Sequence, residues 1–437
     1  MILEDYLEQN ARLYPDKTAV VCGAETCSYL QLYKRSLARA AEYSHQRRRL
    51  VLFRASQSID FLVTYFAIHL ADAVAAPLEK DMPQDMFDDM VRNVSSNVLP
   101  DGIADVLFTT GTTGLSKGVM ISHRAIIANA ENLIAGQGFT HELVFIINGP
   151  LNHIGSLSKI FPVIVQGATL LIIDGMRDFE KFFDALDYPT QKMATFFVPA
   201  NVRMLTQFCS NRLALYAKKL DFIECGGAPL PHSDMVELCR LLPHTRLYNT
   251  YASTETGIVS TYNYNDGRCI ARCLGKPMPH SRIIITPEGH ISCQGDTLMS
   301  GYFDDLELTA TVLHGETVCM SDIGSIDNEG MLHINGRQDD VINVGGYKVA
   351  PTEVEEAALQ LPVVNDCICI SVPHPITGNA LKLLVVLSKG EKLNKRKLAL
   401  HLRQRLEIYK VPMIYEQVET IERTYNGKIN RKFYRKL

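Results

Sequence analysis

Apolar segments with helical spacing alternate with short runs rich in β-branched and aromatic residues through most of this chain, and that alternation limits its fold more than any other feature. A chain patterned this way packs helices against a sheet, so the expected class is α/β. Runs at 104–109, 143–147, 169–173, 194–198 and 222–225 read as strands. Residues 122–134, where Ser122 can cap the first turn, and 234–242 read as helices. From 267 to about 333, short strands such as 281–285 are separated by Pro, Gly and Asp, which predicts a small β-rich subdomain. After Arg337 the pattern mixes both types. A β-rich run at 341–347 precedes a helix at 351–361 with Glu353, Glu355 and Glu356 in its first turns, then strands at 367–372 and 382–387 and a basic amphipathic helix at 393–407. With 437 residues and roughly 150 per domain, two to three folding units are expected. The division is a large N-terminal domain over 1–338 and a small C-terminal α+β domain over 339–437, joined by a tight hinge between Gly336 and Asp340.

Charge and cysteine usage exclude several function classes. The net charge of -4, from 44 basic and 48 acidic residues, supplies no field to attract a polyanion, so no nucleic-acid partner is expected. The charge is uneven, however: residues 340–437 hold 16 Lys or Arg against 10 Asp or Glu, a local balance of +6. Eleven scattered cysteines, with no charged-then-apolar leader, fit reduced thiols in a cytoplasmic protein. Cys367 and Cys369 would share one face of a strand, but no second Cys or His pair lies nearby at zinc spacing. The most membrane-like stretch, 61–78, is interrupted by Thr64, His69 and Asp72. It falls short of the ~20 mainly apolar residues of a span and reads as a buried helix and strand.

Four motifs carry chemistry. In TTGTTGLSKG, 109–118, glycines allow a tight turn with inward N–H groups, threonines supply hydroxyls and Lys117 supplies charge, a set suited to wrapping a polyphosphate. It is not a Walker A loop, because a strand rather than a helix follows; the bland alternative is a glycine-rich hairpin turn. In YNTYASTETG, 248–257, preceded by Cys225-Gly226-Gly227-Ala228-Pro229, Tyr251 can stack on a planar base, Asn249 can pair with ring nitrogens and Glu255 offers an oxygen to Mg²⁺. A polar loop after a strand would read the same way. In 321–355, Asp322 can accept ribose hydroxyls, Arg337 can pair with it or with phosphate, and Gly345 and Gly346 allow a thin ligand such as a pantetheine arm to approach; a hairpin with a surface ion pair is the plainer reading. Last, Asn426-Gly427-Lys428-Ile429 sets a lysine on a glycine turn near the end, where lysines are usually just solvated.

Taken in this order, from the opening LEDYLEQNARLYPDKTAVV to NGKINRK, the four motifs resemble the superfamily of adenylate-forming enzymes: acyl-CoA synthetases, peptide-synthetase adenylation domains and luciferases. The resemblance implies a soluble ligase that joins a small carboxylic acid to ATP as an acyl-adenylate, releases pyrophosphate, and passes the acyl group to coenzyme A. It implies that Thr109, Thr110, Gly111, Thr112, Thr113, Gly114 and Lys117 hold the departing phosphates. Gly227, Ala228, Asn249 and Tyr251 would form the adenine slot, Thr254 would touch the α-phosphate, Glu255 would bind Mg²⁺, and Asp322 with Arg337 would hold the ribose. Asp339 would be the hinge of a mobile cap, which brings in Lys428 for the first half-reaction and Gly345 and Gly346 for the second; Lys348 would contact phosphate in one of these states. His153, in Pro150-Leu151-Asn152-His153-Ile154-Gly155, would lie over the acyl site as in acyl- and aryl-CoA ligases, unless it is a core histidine at a strand end.

This chain departs from the family pattern at several points. Ser116 stands where proline is common, and Ala252, in place of glycine, narrows the acyl pocket. Only about thirty residues separate Pro77-Leu78 from the phosphate loop, so the N-terminal lobe is trimmed and leaves a surface for an oligomer or a carrier partner. No Asp is placed to hold an α-amino group, and with no Trp in the chain, Phe196 and Phe197 are the aromatic candidates for a pocket wall. The acceptor alternative is the phosphopantetheine arm of an acyl carrier protein. The alternative of another class is a nucleotide-binding protein without catalysis.

Overall fold

The computed structural model describes residues 1–94, 98–110, 116–424 and 429–434, save the side chains of Thr110, Ser116 and Asp339. The expected α/β class is observed, with a large N-terminal domain and a small C-terminal one. Six strands of the main sheet are parallel, in the order Arg246–Ser253, Leu220–Cys225, Met193–Phe197, Val144–Ile147, Thr169–Ile172, Thr18–Cys22. These are the near-continuous apolar runs of the sequence, buried because helices cover both faces. At Gly257–Asn263 the sheet turns antiparallel, and the β-rich stretch then extends the same sheet instead of forming a separate one, through Cys273–Pro277, Leu332–Arg337, Thr317–Ile326, His290–Gly295 and Ser281–Ile285.

A second, five-stranded sheet has parallel strands Leu50–Arg54, Val74–Leu78 and Ile103–Thr110, followed by the antiparallel Ser116–Ser122 and the short Gly301–Tyr302. Ser122 caps helix His123–Gln137 as expected, its Oγ accepting from the Ala125 N–H at 3.1 Å. The stretch 61–78 resolves into the buried helix Ile59–Leu70 and strand Val74–Leu78, and among the described residues no helix is long and apolar enough to cross a membrane. Among the described residues, the connection after Leu78 carries the helix Gln84–Val94, which has no buried residue. In the small domain, strands Val364–His374, Gly378–Leu387 and Ile414–Gln417 pack against helices Pro351–Leu359 and Lys395–Arg403. Cys367 and Cys369 both face this core, as their alternation predicts, and all eleven cysteines are free.

One polar cluster ties the N-terminal half together. His69, on the otherwise apolar helix Ile59–Leu70, lies between Glu4 Oε1 at 2.6 Å and Asp105 Oδ1 at 3.0 Å, while the Tyr65 hydroxyl donates to Asp105 Oδ2 at 2.9 Å. Burial would strip the proton from this imidazole, but the charge of Glu4 and hydrogen bonds to Asp105 and Glu4 outweigh it, and its pKa is pushed up to about 10. The cluster joins helix Leu3–Leu13, helix Ile59–Leu70 and the strand that leads into the phosphate loop. Since the raised pKa belongs to the folded state, its contribution is full below about 6.5, the free-imidazole value, and is lost as pH rises toward about 10. Melting temperature measured against pH is expected to fall across that window. His69→Gln should flatten the slope and cost about 3–5 kcal/mol near neutral pH, the scale for breaking a buried ion pair.

Candidate functional site

The site residues gather where the main sheet changes direction. Strand Arg246–Ser253 ends, Thr254, Glu255 and Thr256 form a tight turn, and Gly257–Asn263 returns antiparallel. The turn closes on itself: the Thr256 N–H donates to Ser253 Oγ at 3.0 Å, and the Ser253 N–H donates to Thr256 Oγ1 at 3.2 Å. Gly257 has φ +67, and a Cβ there would lie 2.5 Å from Asn129 Oδ1 and 2.7 Å from the Thr297 carbonyl, so no other residue fits. Thr254 and Glu255 are left half-buried at the end of the strand.

Glu255 links this turn to the phosphate hairpin. Its Oε1 accepts from the Tyr302 hydroxyl at 3.0 Å, Tyr302 pairs with Val119 on the hairpin, and Lys117 Nζ stands 5.6 Å from the Tyr302 ring centroid. Thr109 is directly opposite Lys117 in the hairpin register. Gly111, Thr112, Thr113 and Gly114 lie outside the described residues, as does the side chain of Thr110. Glu255 Oε1 is thus held by a phenol while the carboxylate stays half-exposed. A single partly solvated carboxylate beside a phosphate loop suits Mg²⁺, which keeps several waters and shares its ligands with phosphate oxygens.

A second chain of contacts crosses from the parallel strands into the antiparallel extension. The Tyr251 hydroxyl donates to Asp322 Oδ2 at 2.9 Å, Arg337 Nε lies 3.3 Å from Asp322 Oδ1, and Arg337 Nη2 donates to Ser321 Oγ at 2.8 Å. Asp322 and Arg337 are brought together by direct register between Thr317–Ile326 and Leu332–Arg337. Burial and the neighbouring Asp322 raise the Tyr251 pKa, which keeps its proton in place as a donor. Asn249 is buried, and its side-chain amide donates to the Cys273 carbonyl at 3.0 Å. Gly227, at φ +81, is exposed on the turn after Leu220–Cys225, with Ala228 half-buried beside it.

His153 is half-buried at the start of the short helix Ile154–Leu157, its carbonyl accepting from the Leu157 N–H at 2.9 Å. Phe196 and Phe197 point to opposite faces of their strand. Phe197 is sealed in a core with Val202 and Leu205, while Phe196 is half-buried and its ring lies where Cβ atoms on Gly155 or Gly226 would meet it at 3.2 and 3.4 Å. Gly345, Gly346 and Lys348 lie exposed on the small domain's hairpin of Ile342–Val344 and Tyr347–Val349. Lys428 is outside the described residues.

Some contributors carry no motif in the sequence. Tyr302, which holds Glu255, is remote in the chain and sits on a two-residue strand. Arg203 donates to the Asn365 carbonyl at 3.0 Å and pairs with Asp234 and Asp366, and Arg272 pairs with Glu356 at 2.6 Å, which seats the small domain against the large one. Among the described residues, one His-acid group is close enough for a metal: Glu4, His69 and His123. His69 has both ring nitrogens facing carboxylates and its proton firmly held, so the group reads as an ion cluster.

Fold and side-chain set together define the adenylate-forming class. The chain belongs to the AMP-binding enzyme family: that family's model matches residues 7–99 and 92–303, and the model of the AMP-binding enzyme C-terminal domain matches 353–428. It is 29% identical over 345 residues to a long-chain-fatty-acid–CoA ligase of Bacillus subtilis (strain 168), covering 76% of this chain and 61% of that one. It is 30% identical over 354 residues to a 2-succinylbenzoate–CoA ligase of Staphylococcus aureus (strain MSSA476), covering 79% of this chain and 69% of that one. The chain therefore spans about three fifths of the first relative's length. Among solved structures, ATP-bound MatB of Rhodopseudomonas palustris shares the fold with a TM-score of 0.87 at 23% identity, over 100% of this chain and 99% of that one.

Because Tyr251 and Asp322 hold one another across the sheet's change of direction, Tyr251→Phe should cost about 1.5–3 kcal/mol in urea unfolding, the range for one hydrogen bond to a charged group. The loss should nearly vanish when Asp322→Ala is already present, a coupling that a double-mutant cycle reads directly.

Proposed function

We propose that the protein is an ATP-dependent carboxylate:CoA ligase that works through an acyl-adenylate. The observation that carries this reading is the placement, at one end of the sheet, of the two contact chains Lys117–Tyr302–Glu255 and Tyr251–Asp322–Arg337. The first faces the phosphate loop and the second offers a carboxylate to a sugar. The CoA ligases to which the chain is similar support the choice of acceptor.

In this proposal the adenine lies between the Gly227-Ala228 turn and Tyr251. The Tyr251 hydroxyl is committed to Asp322, which fixes the ring plane for stacking and leaves Asp322 Oδ1, shared with Arg337, to accept from the ribose. Asn249, whose amide is taken by Cys273, would meet the base through its side-chain oxygen. Lys117 and the Thr109–Gly114 loop hold the departing pyrophosphate, and Thr254 meets the α-phosphate. Mg²⁺ held by Glu255 would neutralise charge on the phosphates. The acid enters past His153, and its carboxylate attacks the α-phosphorus as the bond to pyrophosphate breaks. Lys428 offsets the negative charge of the two reactants in that transition state. The cap of residues 339–437 then turns about Asp339, so that Gly345 and Gly346 line the entry of the thiol, which attacks the acyl carbon and releases AMP; Lys348 contacts phosphate in one of the two arrangements.

Pyrophosphate release with ATP and a panel of short, medium and aryl acids tests the first step, and thioester formation with free CoA against carrier proteins tests the second. Acid-dependent release followed by turnover with free CoA is expected; transfer only to a carrier would replace the acceptor. Lys428→Ala should lower the first half-reaction by orders of magnitude while ATP affinity changes little. Asp322→Asn should instead weaken ATP binding by about tenfold or more, the scale for a hydrogen bond to a charged group. Unchanged adenylate formation in Lys428→Ala would leave a nucleotide-binding protein without catalysis.

A further inference from the structure

A buried ion pair lies next to the region where the acid would enter, and nothing in the proposed reaction uses it. Lys159 stands six residues after His153, between helices Ile154–Leu157 and Ile160–Gln166, and its Nζ is 2.8 Å from the Glu224 carboxylate. Both side chains are 1% exposed. Glu224 is on Leu220–Cys225, two residues before Gly226, and is paired directly with Phe196 on the neighbouring parallel strand. Side chains paired in this way share a face of the sheet. Phe196 therefore lies beside the pair: Lys159 Nζ is 5.3 Å from its ring centroid, and the ring's far edge abuts Gly155 and Gly226. Gly155 closes the His153 segment and Gly226 opens the Gly227-Ala228 turn, so the half-buried Phe196 separates the ion pair from the cleft.

Energetics make this pair unusual as a mere support. Burying two charges costs several kcal/mol per ion, and well-packed apolar residues of the same volume are often as stable or more so. Burial lowers the pKa of Lys159, with Glu224 opposing that shift. The ammonium has three donors; both Glu224 oxygens lie 2.8 Å from Nζ, and on its other side the ammonium faces the Phe196 ring. The adjoining Ser158 Oγ is also buried without a partner. A buried ammonium with an aromatic ring in place of a third acceptor thus sits beside the segment that carries His153.

We propose that Lys159, positioned by Glu224 and screened by Phe196, is a specificity-determining residue that selects acids whose tail carries a hydrogen-bond acceptor oxygen over acids with a plain alkyl tail. This rests on the proposed carboxylate activation and names the substrate class within it. The acceptor, an oxo, hydroxyl or second carboxylate oxygen, displaces the Phe196 ring from the ammonium and takes the donor that faced it. A site built to hydrogen-bond a substrate rejects the analogue lacking that group far more strongly than an apolar pocket discriminates by size.

The test uses unreactive acyl-adenylate mimics, so binding is read without turnover. Hexanoyl sulfamoyl adenosine is compared by calorimetry with its 3-oxo, 4-oxo and 5-oxo counterparts. Wild-type protein is expected to bind at least one oxo form about tenfold or more tighter than the alkyl form. The double variant Lys159→Met, Glu224→Leu should lose that preference while melting no lower than wild type. Equal affinity for alkyl and oxo forms in the wild type overturns the inference and leaves carboxylate activation standing, as does a preference that survives in a folded double variant. Failure of every mimic to bind overturns both.

Discussion

The main sheet reverses direction after its strand Arg246–Ser253, and the site hangs on that reversal. A parallel strand must leave its sheet through a crossover, whereas this one folds back within the three residues Thr254–Thr256, which leaves Thr254 and Glu255 half-buried at the sheet's end. Gly257 makes the reversal sterically allowed, and Asn129 secures it by accepting the Ile258 N–H at 2.7 Å. Everything beyond is antiparallel, and it is in the antiparallel extension that Asp322 and Arg337 face one another in register. Ligands favour such points in open α/β sheets because the strand ends diverge there and leave a crevice.

The proposed reaction needs a strongly charged nucleotide to meet a carboxylate, and the protein prepares for this by fixing its own charges before any ligand arrives. Glu255 is held by Tyr302 and Asp322 by Tyr251 and Arg337, so neither carboxylate must reorganise to receive its partner. His69 acts further back, fixing Asp105 at the root of the strand that runs into the phosphate loop. Each of these anchors comes from a part of the chain distant in sequence.

That distance explains what could be read from the sequence and what could not. The apolar runs at 104–109, 169–173 and 222–225 showed their strands because a strand buried on both faces is apolar almost throughout, the exceptions Asp105 and Glu224 each having a charged partner. Ser122 showed its cap because the bond it makes is local. The motifs drew attention to Glu255, Asp322 and Arg337 as charged residues on glycine-bearing turns and strands, and Asp322 and Arg337 prove to face one another in register. Tyr302, Arg203 and the Lys159–Glu224 pair were hidden, since each acts across more than forty positions and a lone tyrosine, arginine or lysine carries no local signature. The continuity of the β-rich stretch with the main sheet was hidden too, because strand patterning tells which residues pair but not with which sheet.

The uneven charge of the C-terminal domain takes on a direction once its contacts are placed. Its acids are turned inward: Glu353 and Glu356 face Arg272, Asp366 faces Arg203 and Arg423, and Glu355 and Asp340 are held by Arg431. All five carboxylates are at most 24% exposed. Five of the ten acids in residues 340–437 are thereby neutralised at or near the contact with the large domain, whereas Lys348 and the helix Lys395–Arg403 present their charge to solvent. The outward field of this domain is accordingly more basic than its +6 balance suggests. A surface of that kind attracts phosphates. In the proposed reaction it would receive the nucleotide's tail in the first half-reaction and a phosphorylated thiol in the second.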